Sequence, residues 1–471
     1  MNKQLIKKYA IRIFVFLLVS FLFQWSAGDQ LKYKTHTVKM TEVNSIIGEL
    51  ADGTTIQQSF TVESDTIQKI RLYFFSYGRA NTGAMELALW QPENEEVLYQ
   101  TQIEASLIQD GWFEVEIDLL NYYLRGKTLV LQITGNCPAG ESPSLYYHNQ
   151  DCGNGSLSIN GQSINGSLGY EIEGGIYYSW GNYYWLIVLA LGCIGGLYSI
   201  YLHYCDKQGK KNWILIFSKV YKKYNFLISQ LVARDFKTKY KRSVLGYLWS
   251  FLNPLMTMAV QYIVFSTIFK SGIENFPVYL LSGVVFFNFF IEAVGLGLTS
   301  IVGNAALITK VYVPKYIYPV TRVLSSTINL VISLIPLFLL SLLTGANLTK
   351  AVLLLFVPIS CVLIFSIGLA LVLSTSMVFF RDTQYLWGII NMAWMYLTPL
   401  FYPVDILPPQ FQLIVQWNPM YRIVNFVRIV LIQGRSPELS DYFACIGFAI
   451  GMLFAGAWIF KKNQHKFVLY I

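Results

Sequence analysis

Charge is scarce in this sequence. Asp, Glu, Lys and Arg make up only 13% of its 471 residues, against about 25% in soluble domains. Apolar residues reach 54% and mean hydropathy is +0.44, so much of the chain faces lipid. The net charge of +8 is not a nucleic-acid footprint, because the cations cluster beside apolar runs, as the positive-inside rule expects. GxxxxGK[ST] is missing, which excludes an ATP-phosphate cradle within this chain. Leu281-Ser282-Gly283 sits inside an apolar run and is not a nucleotide signature. GxSxG and HExxH are missing too, and His36, His148, His203 and His465 are scattered without metal-ligand spacing. No catalytic residues and no metal site are therefore expected. The six cysteines include no CxxC pair. Cys193, Cys205, Cys361 and Cys445 lie in or beside apolar runs as packing residues. Cys137 and Cys152 lie in a polar region, where a disulfide and two free thiols are both open.

What is present is a series of apolar spans interrupted by one polar block. The basic start MNKQLIKKYAIR leads into Ile13 to Phe23, the pattern of a signal peptide or an uncleaved anchor. Trp25 spoils the small-residue spacing before Ala27, which favours an anchor over residues 1–28. Residues 29–180 are polar and rich in Gly, Asn, Thr and Ser, with apolar residues at alternate positions, as in Ile70, Leu72, Phe74 and Phe113, Val115, Ile117. Period-two runs between turn signals at Gly53, Gly83, Gly111, Gly126 and Gly135 predict an exported all-β, jelly-roll-like sandwich. Residues 181–205 form the second span, flanked by Trp180, Tyr183, Tyr184 and Trp185, an aromatic belt.

Residues 206–245 are a basic cytoplasmic linker ending in an amphipathic helix. Arg234, Lys237, Lys241 and Arg242 fall on one side; Val232, Phe236, Tyr240 and Val244 fall on the other. Such a helix lies in the membrane surface with its cations toward lipid phosphates. Residues 246–471 carry six further spans, roughly Tyr247 to Phe269, Val278 to Ile301, Val320 to Leu343, Ala351 to Phe379, Leu386 to Phe401 and Phe443 to Phe460. Pro403 to Gly434 holds two amphipathic pieces divided by Asn418-Pro419, each too short to cross, so a re-entrant helical hairpin is expected. The fold class is thus a polytopic α-helical membrane protein of about eight spans plus the β-sandwich, with both termini cytoplasmic and residues 29–180 extracytoplasmic. Arg422, Arg428 and Arg435 on the outer hairpin run against the cation distribution. Glu292, a carboxylate inside an apolar span, is a functional candidate.

From Ala233 onward the chain carries ARDFKTKYKRSVLGYLWSFLNP, FSTIFKS, FPVYLLSGVVFFNFF, IVGNAALITKVYVPKYIYPV, FFRDTQYL, TPLFYPVDILP and WNPMYRIVNFVR, in that order. In these segments it resembles the ABC-2-type permeases of the polysaccharide-export family, the membrane subunits that export O-antigen, capsule and teichoic-acid chains. The first two spans and the exported block are not part of the six-span permease of that family. The resemblance implies a homodimer with two separate ATPase subunits, which hold the ATP and Mg, and a polyprenyl-diphosphate-linked glycan as cargo. It implies that the loop with Asn304, Leu307, Ile308, Lys310, Val311, Pro314 and Lys315 is a coupling helix docking on the ATPase, where composition alone reads a cytoplasmic turn. It makes Arg234, Lys237, Lys241 and Arg242 candidates for the lipid pyrophosphate, a role compatible with general attraction to anionic lipids. The spans hold Trp249, Phe286, Phe287, Phe290, Tyr396, Phe401 and Tyr402 as candidate channel-lining aromatics, on which a sliding sugar chain can stack; lipid-facing or packing rings are the plainer reading. In the β-sandwich, Trp90, Trp112, Tyr146 and Tyr147 are candidate glycan contacts, with core packing the alternative. The competing functions are an ABC-2 drug or lipid exporter and a membrane-tethered sensor that binds wall glycan.

Overall fold

The computed structural model describes the chain except residues 1–2, 29–32, 41–42, 120–122, 151–154, 210–211, 241–244, 247, 269–274, 311–312, 347 and 471. Cys152, Lys241, Arg242 and Val311, singled out above, lie outside the described residues. The chain divides into two compact units, Lys32–Tyr184 and Met1–Leu31 with Trp185–Ile471.

The first unit is all β. Its strands are β1 (Tyr33–Met40), β2 (Ser45–Ile46), β3 (Thr55–Thr61), β4 (Thr66–Phe75), β5 (Ala84–Gln91), β6 (Glu96–Glu104), β7 (Gly111–Leu119), β8 (Thr128–Asn136), β9 (Ser144–His148), β10 (Leu157–Ile159), β11 (Gln162–Ile164), β12 (Ser167–Leu168) and β13 (Tyr170–Tyr177). One seven-stranded sheet runs β1-β13-β4-β9-β12, with β7 on β4 and β2 on β9; a six-stranded sheet runs β11-β10-β3-β8-β5-β6. The alternation read from the sequence is the burial pattern: Ile70, Leu72 and Phe74 point into the core, while Arg71, Tyr73 and Phe75 point out. Gly53, Gly83, Gly111 and Gly126 sit at strand ends with positive φ, as turns require. Gly135 does not turn the chain. It lies inside β8, where a Cβ would come within 2.6 Å of the Leu50 carbonyl carbon, so its smallness serves close backbone approach.

The second unit is helical: α1 (Lys3–Ala27), α2 (Tyr184–Lys207), α3 (Trp213–Tyr240), α4 (Leu248–Ile268), α5 (Phe276–Leu298), α6 (Ala305–Lys310), α7 (Ile317–Leu343), α8 (Phe356–Phe379), α9 (Thr383–Leu397), α10 (Pro409–Gln416), α11 (Pro419–Leu431), α12 (Leu439–Asn463) and α13 (Phe467–Tyr470). Among the described residues, six helices are long and apolar enough to cross a bilayer, with Ile11–Ala27 a shorter apolar segment. The expected span from Leu386 to Phe401 falls short. Its helix, α9, has only 15 residues, about 22 Å at 1.5 Å per residue, because Pro399 follows its last turn and removes a backbone donor. The hairpin after it has the expected two pieces, α10 and α11. Asn418 caps α11 by accepting from the Met420 and Tyr421 amides at 3.0 and 3.4 Å, with Pro419 in the first turn.

The short amphipathic helix expected near Arg234 is instead the end of a continuous 28-residue helix, α3, which packs on α7. α5 is the most enclosed span, packed by α4, α7, α8 and α11. α8 and α12 touch backbone to backbone: a Cβ on Gly368 would lie 2.5 Å from the Met452 carbonyl, and one on Gly456 would overlap Gly368 itself. Small residues that admit such approach are the usual device for helix pairing in lipid.

Candidate functional site

Leaving a polar side chain unpaired among apolar helices is costly, so the pairing shows where the helical unit concentrates its polar groups. On α7, Arg322, Ser325, Asn329 and Ser333 recur at helical spacing. Asp235 and Lys239, one turn apart on α3, meet this stripe. The Asp235 side chain is 8% exposed and accepts from Arg322 at 3.2 Å and from its neighbour Arg234 at 2.9 Å. Lys239 reaches Glu292 of α5 at 2.8 Å. The second Glu292 oxygen accepts from the Asn329 amide at 2.7 Å. Asn329 also lies 3.2 Å from the Ser250 hydroxyl of α4, and Ser333 donates to the Ser250 carbonyl at 3.0 Å. Glu292 is therefore tolerated in its span because a lysine and an amide neutralise and hold it.

This network separates two adjoining cavities that share Lys239, Glu292 and Asn329. The larger, about 620 Å³, is lined by Arg234, Asp235, Arg322, Ser325, Gly303 and Asn304 among others. The smaller, about 270 Å³, is lined by Trp249, Ser250, Asn253, Asn288, Phe289 and Ser333 among others. The larger one's charges are Arg234, Lys239 and Arg322 against Asp235 and Glu292, three cations to two carboxylates. It can hold an anionic group with a net positive surround.

The expected coupling segment abuts this cavity. Asn304 is buried and its amide donates to the Ser300 carbonyl at 2.7 Å, closing the end of α5. Leu307 on α6 is 41% exposed, while Ile308 packs inward against a cluster of Ile301, Tyr318, Leu371, Val378, Phe460 and Phe467. Lys310 is exposed, and Pro314 follows α6 in the connection to α7. Lys315 donates to the Gln464 carbonyl at 2.7 Å and sits over the Phe467 ring at 5.7 Å. Burial lowers the Lys315 pKa below the ordinary lysine value. The C-terminal α13 thus staples the base of the coupling segment.

Of the expected phosphate-binding cations, Arg234 lines the larger cavity and Lys237 is exposed. The expected apolar face of α3 includes Phe236, which lines the cavity. Asp235, Lys239, Arg322 and Asn329 did not emerge from the sequence reading. Their signal was there in the i, i+4 pair on α3 and the polar stripe on α7, visible once polar rather than apolar residues are tracked along a span.

The aromatic candidates do not share one surface. Phe286, Phe287 and Phe290 are fully buried; Phe290 packs on Phe365, Trp387 and Trp394 with centroids 5.9, 6.1 and 5.2 Å away. As α5 is enclosed by helices of its own chain, these three rings serve packing here and do not line a cavity. Phe401 is also buried, stacked on Phe265 at 5.0 Å. Tyr402 is half-buried and its hydroxyl donates to the carbonyl of the exposed Tyr396 at 2.8 Å. Of the seven, Trp249 lines the smaller of the two cavities.

Arg428 is not at a surface either. It is 5% exposed and donates to the carbonyls of Pro399, Leu400 and Tyr279 at 2.8, 3.1 and 3.3 Å. Gly283 leaves room for it, since a Cβ there would lie 3.1 Å from Arg428 Nη2. Arg422 pairs with Asp441 at 2.9 Å.

In the β unit, Trp90 lies on β5 of the six-stranded sheet and Tyr147 packs against the sandwich core. Trp112 and Tyr146 lie on the outer face of the other sheet, each packed against Tyr73 at a tilt, with interplanar angles of 53° and 45°. Cys137 is buried and free.

The profile of the ABC-2 type transporter family matches residues 227–432, the segment that contains the network, both cavities, the coupling segment and Arg428. Residues 227–432 are an ABC-2 type transporter domain. The chain is 29% identical over 246 residues to the O-antigen export system permease protein RfbA of Myxococcus xanthus, covering 52% of this chain and 95% of that protein. It is 28% identical over 253 residues to the RfbA of Klebsiella pneumoniae, covering 52% and 96%. It is 23% identical over 244 residues to the polysialic acid transport protein KpsM of Escherichia coli, covering 50% and 93%. The β unit, Lys32–Tyr184, precedes the ABC-2 match.

Proposed function

We propose that this chain is the membrane subunit of an ATP-driven exporter that carries a lipid-linked cell-surface polysaccharide across the cytoplasmic membrane. The observation that carries this reading is the shared border of the larger cavity: the charged end of α3 forms one wall, and Gly303 and Asn304, at the foot of the coupling segment, form another. A pyrophosphate held by Arg234, Lys239 and Arg322 lies beside the element through which an ATPase would push. Guanidinium groups suit bidentate contact with phosphate oxygens. The printed names of the relatives, O-antigen export permeases and a polysialic acid transporter, point to the same class of cargo.

In this mechanism two copies of the chain pair, and two separate ATPase chains dock on α6 from the cytoplasm, bringing ATP and Mg. Closure of the ATPases moves α6 as a peg. The motion reaches the cavity through Asn304 and its bond to Ser300. The glycolipid head leaves its cation surround and is threaded outward between the two copies. Both termini are cytoplasmic and the β-sandwich is extracytoplasmic. The test is ATPase activity of the reconstituted complex in proteoliposomes: stimulation by polyprenyl-diphosphate glycan is expected, and stimulation by hydrophobic drugs in its place overturns the reading.

A further inference from the structure

The outer face of the seven-stranded sheet carries a row of aromatic rings that transport through the helical unit does not use. Strand register places Tyr73 of β4 opposite Trp112 of β7, with ring centroids 4.9 Å apart. On the other side of Tyr73 lies Tyr146 of β9, also 4.9 Å away. Phe75 continues the row, 5.6 Å from Tyr146 and 4.8 Å from Tyr77. The Arg79 guanidinium closes it, 4.9 Å from the Tyr77 centroid. Trp112 is 41% exposed, and Tyr73, Phe75 and Tyr146 are half-buried.

Two local devices hold this row in place. Gly169 lies between Tyr73 and Tyr146, accepting from the Tyr73 amide at 3.0 Å and donating to the Tyr146 carbonyl at 2.9 Å. A Cβ at Gly169 would stand 3.2 Å from the Tyr73 Cβ, so glycine lets the two tyrosines close up. Tyr77 has φ of 60°, a left-handed conformation that strains a side chain of this size. The turn that imposes it is pinned by Asp110, whose carboxylate accepts from the Ser76 amide at 2.6 Å and the Ser76 hydroxyl at 2.8 Å.

Directly beside the rings on the same face, charge is present but paired. Glu114 accepts from Lys69 at 2.6 Å and from Arg71 at 2.7 Å, and Arg71 also faces Glu171 at 3.5 Å. Among the described residues Lys69 and Arg71 face three carboxylates here, Glu114, Glu116 and Glu171, so this border has no positive excess to attract a polyanion. The face instead offers π surfaces edged by phenol hydroxyls, carboxylates and guanidinium groups in fixed positions. That is the chemistry a pyranose requires: its C–H side lies on a ring while its hydroxyls reach polar groups at the margin.

We propose that Trp112, Tyr73, Tyr146 and Phe75 form a binding platform for a hexose-containing polysaccharide chain. The proposal rests on the export reading for the identity of the polymer, and it places a second contact for that polymer outside the helical unit. Rings on three adjacent strands let successive sugars of one chain engage without a single fixed register, so the platform holds a moving polymer as well as a static one.

The experiment uses the full chain in nanodiscs. The probe is the surface polysaccharide of the source strain, freed of its lipid by mild acid and titrated with tryptophan fluorescence and calorimetry as readouts. Binding is expected, with Trp112→Ala and Tyr73→Ala each about tenfold weaker, as the loss of one stacking contact gives. Trp112→Phe should keep most of the affinity, and Tyr123→Ala, an exposed aromatic outside the row, should keep all of it. Hydrogen exchange across β4 and β7 confirms that each variant is folded. No binding by the wild type, or equal binding by folded Trp112→Ala and Tyr73→Ala, overturns the platform. So does concentration-dependent pairing of the wild type that Trp112→Ala abolishes while the polysaccharide has no effect, which assigns the face to a second copy. The proteoliposome assay is scored separately: binding through the platform with no glycolipid-stimulated ATPase overturns the export reading alone.

Discussion

The guanidinium of Arg428 lies over the ring of Tyr279, 3.4 Å from its centroid, and donates to the Tyr279 carbonyl as well. The Tyr279 hydroxyl in turn donates to the Tyr402 carbonyl at 2.8 Å. Both residues therefore serve carbonyls at the break that follows α9, where the helix ladder has stopped. Among the described residues no carboxylate pairs with Arg428; the cation is held in an apolar setting by several carbonyls at once.

Replacing this arginine by lysine should fail. A lysine has no planar fork and cannot serve the Pro399, Leu400 and Tyr279 carbonyls together. Each carbonyl left without a donor costs about 1–3 kcal/mol. Arg428→Lys and Arg428→Gln should both lower the unfolding temperature of the purified protein and abolish export. A lysine variant with wild-type stability and transport would show that the clamp is dispensable.

The Lys239–Glu292 pair is half exposed, at 42% and 29% of the side chains, so its direct contribution to stability is modest, about 1 kcal/mol or less. Its positional role is larger. Glu292→Lys should lower the yield of folded protein through repulsion with Lys239, and the exchanged pair Lys239→Glu with Glu292→Lys should restore it. The exchange moves the cation from α3 to α5, so glycolipid-stimulated ATPase activity should stay low. Full recovery of stimulation would remove Lys239 from the phosphate surround.

Leu307, 41% exposed, is the large apolar side chain that the middle of α6 leaves uncovered. Leu307→Asp should leave the purified subunit folded, with an unchanged unfolding temperature, and stop its co-purification with the ATPase. Retained co-purification would place the docking contact elsewhere.

Phe467 is completely buried between Phe379 and Phe460, at 6.1 and 5.2 Å. Phe467→Ala should lose about 3–5 kcal/mol, the usual loss for a buried phenylalanine. It should also raise hydrogen exchange at Lys315 and Tyr316, because α13 holds the Lys315 side chain. If exchange rises only within α12 and α13, the staple does not reach the coupling segment.

The β-sandwich should loosen in acid. Hydrogen bonds from the Ser76 amide and hydroxyl hold the Asp110 carboxyl below its ordinary pKa. Those from Lys69 and then Arg71 do the same for Glu114. A carboxyl whose folded pKa is depressed contributes stability above its unfolded pKa, about 4, and loses it as pH falls through the folded value. Protection of the Ser76 amide should therefore be flat from pH 7 to about 5 and fall below about 4. Asp110→Asn should flatten that fall; an unchanged profile would remove Asp110 as its cause.

The sandwich was legible in the sequence because alternation maps directly onto burial, as at Ile70, Leu72 and Phe74. The hairpin was legible because Asn418-Pro419 is a cap and a helix start in one dipeptide. The interior aromatics were not, since phenylalanine is equally at home against lipid, in a pore or in a core, and only packing decides among them. Arg428 was misplaced for a related reason. Its partners are backbone carbonyls more than twenty residues away, and carbonyls leave no mark in a sequence. Asp235 was hidden among the basic residues of α3, whose attraction to lipid is the stronger compositional signal.

Gly368 and Gly456 bring α8 and α12 into direct backbone contact. Two spans so close have no lubricating layer of side chains between them, so they cannot slide and instead cross the bilayer as a single beam. In the proposed export cycle the motion then falls to the helices around the cavities, α3 and α4 against α5 and α7. A cysteine cross-link fusing α8 to α12 should be silent in transport, whereas one tying α3 to α7 should arrest it.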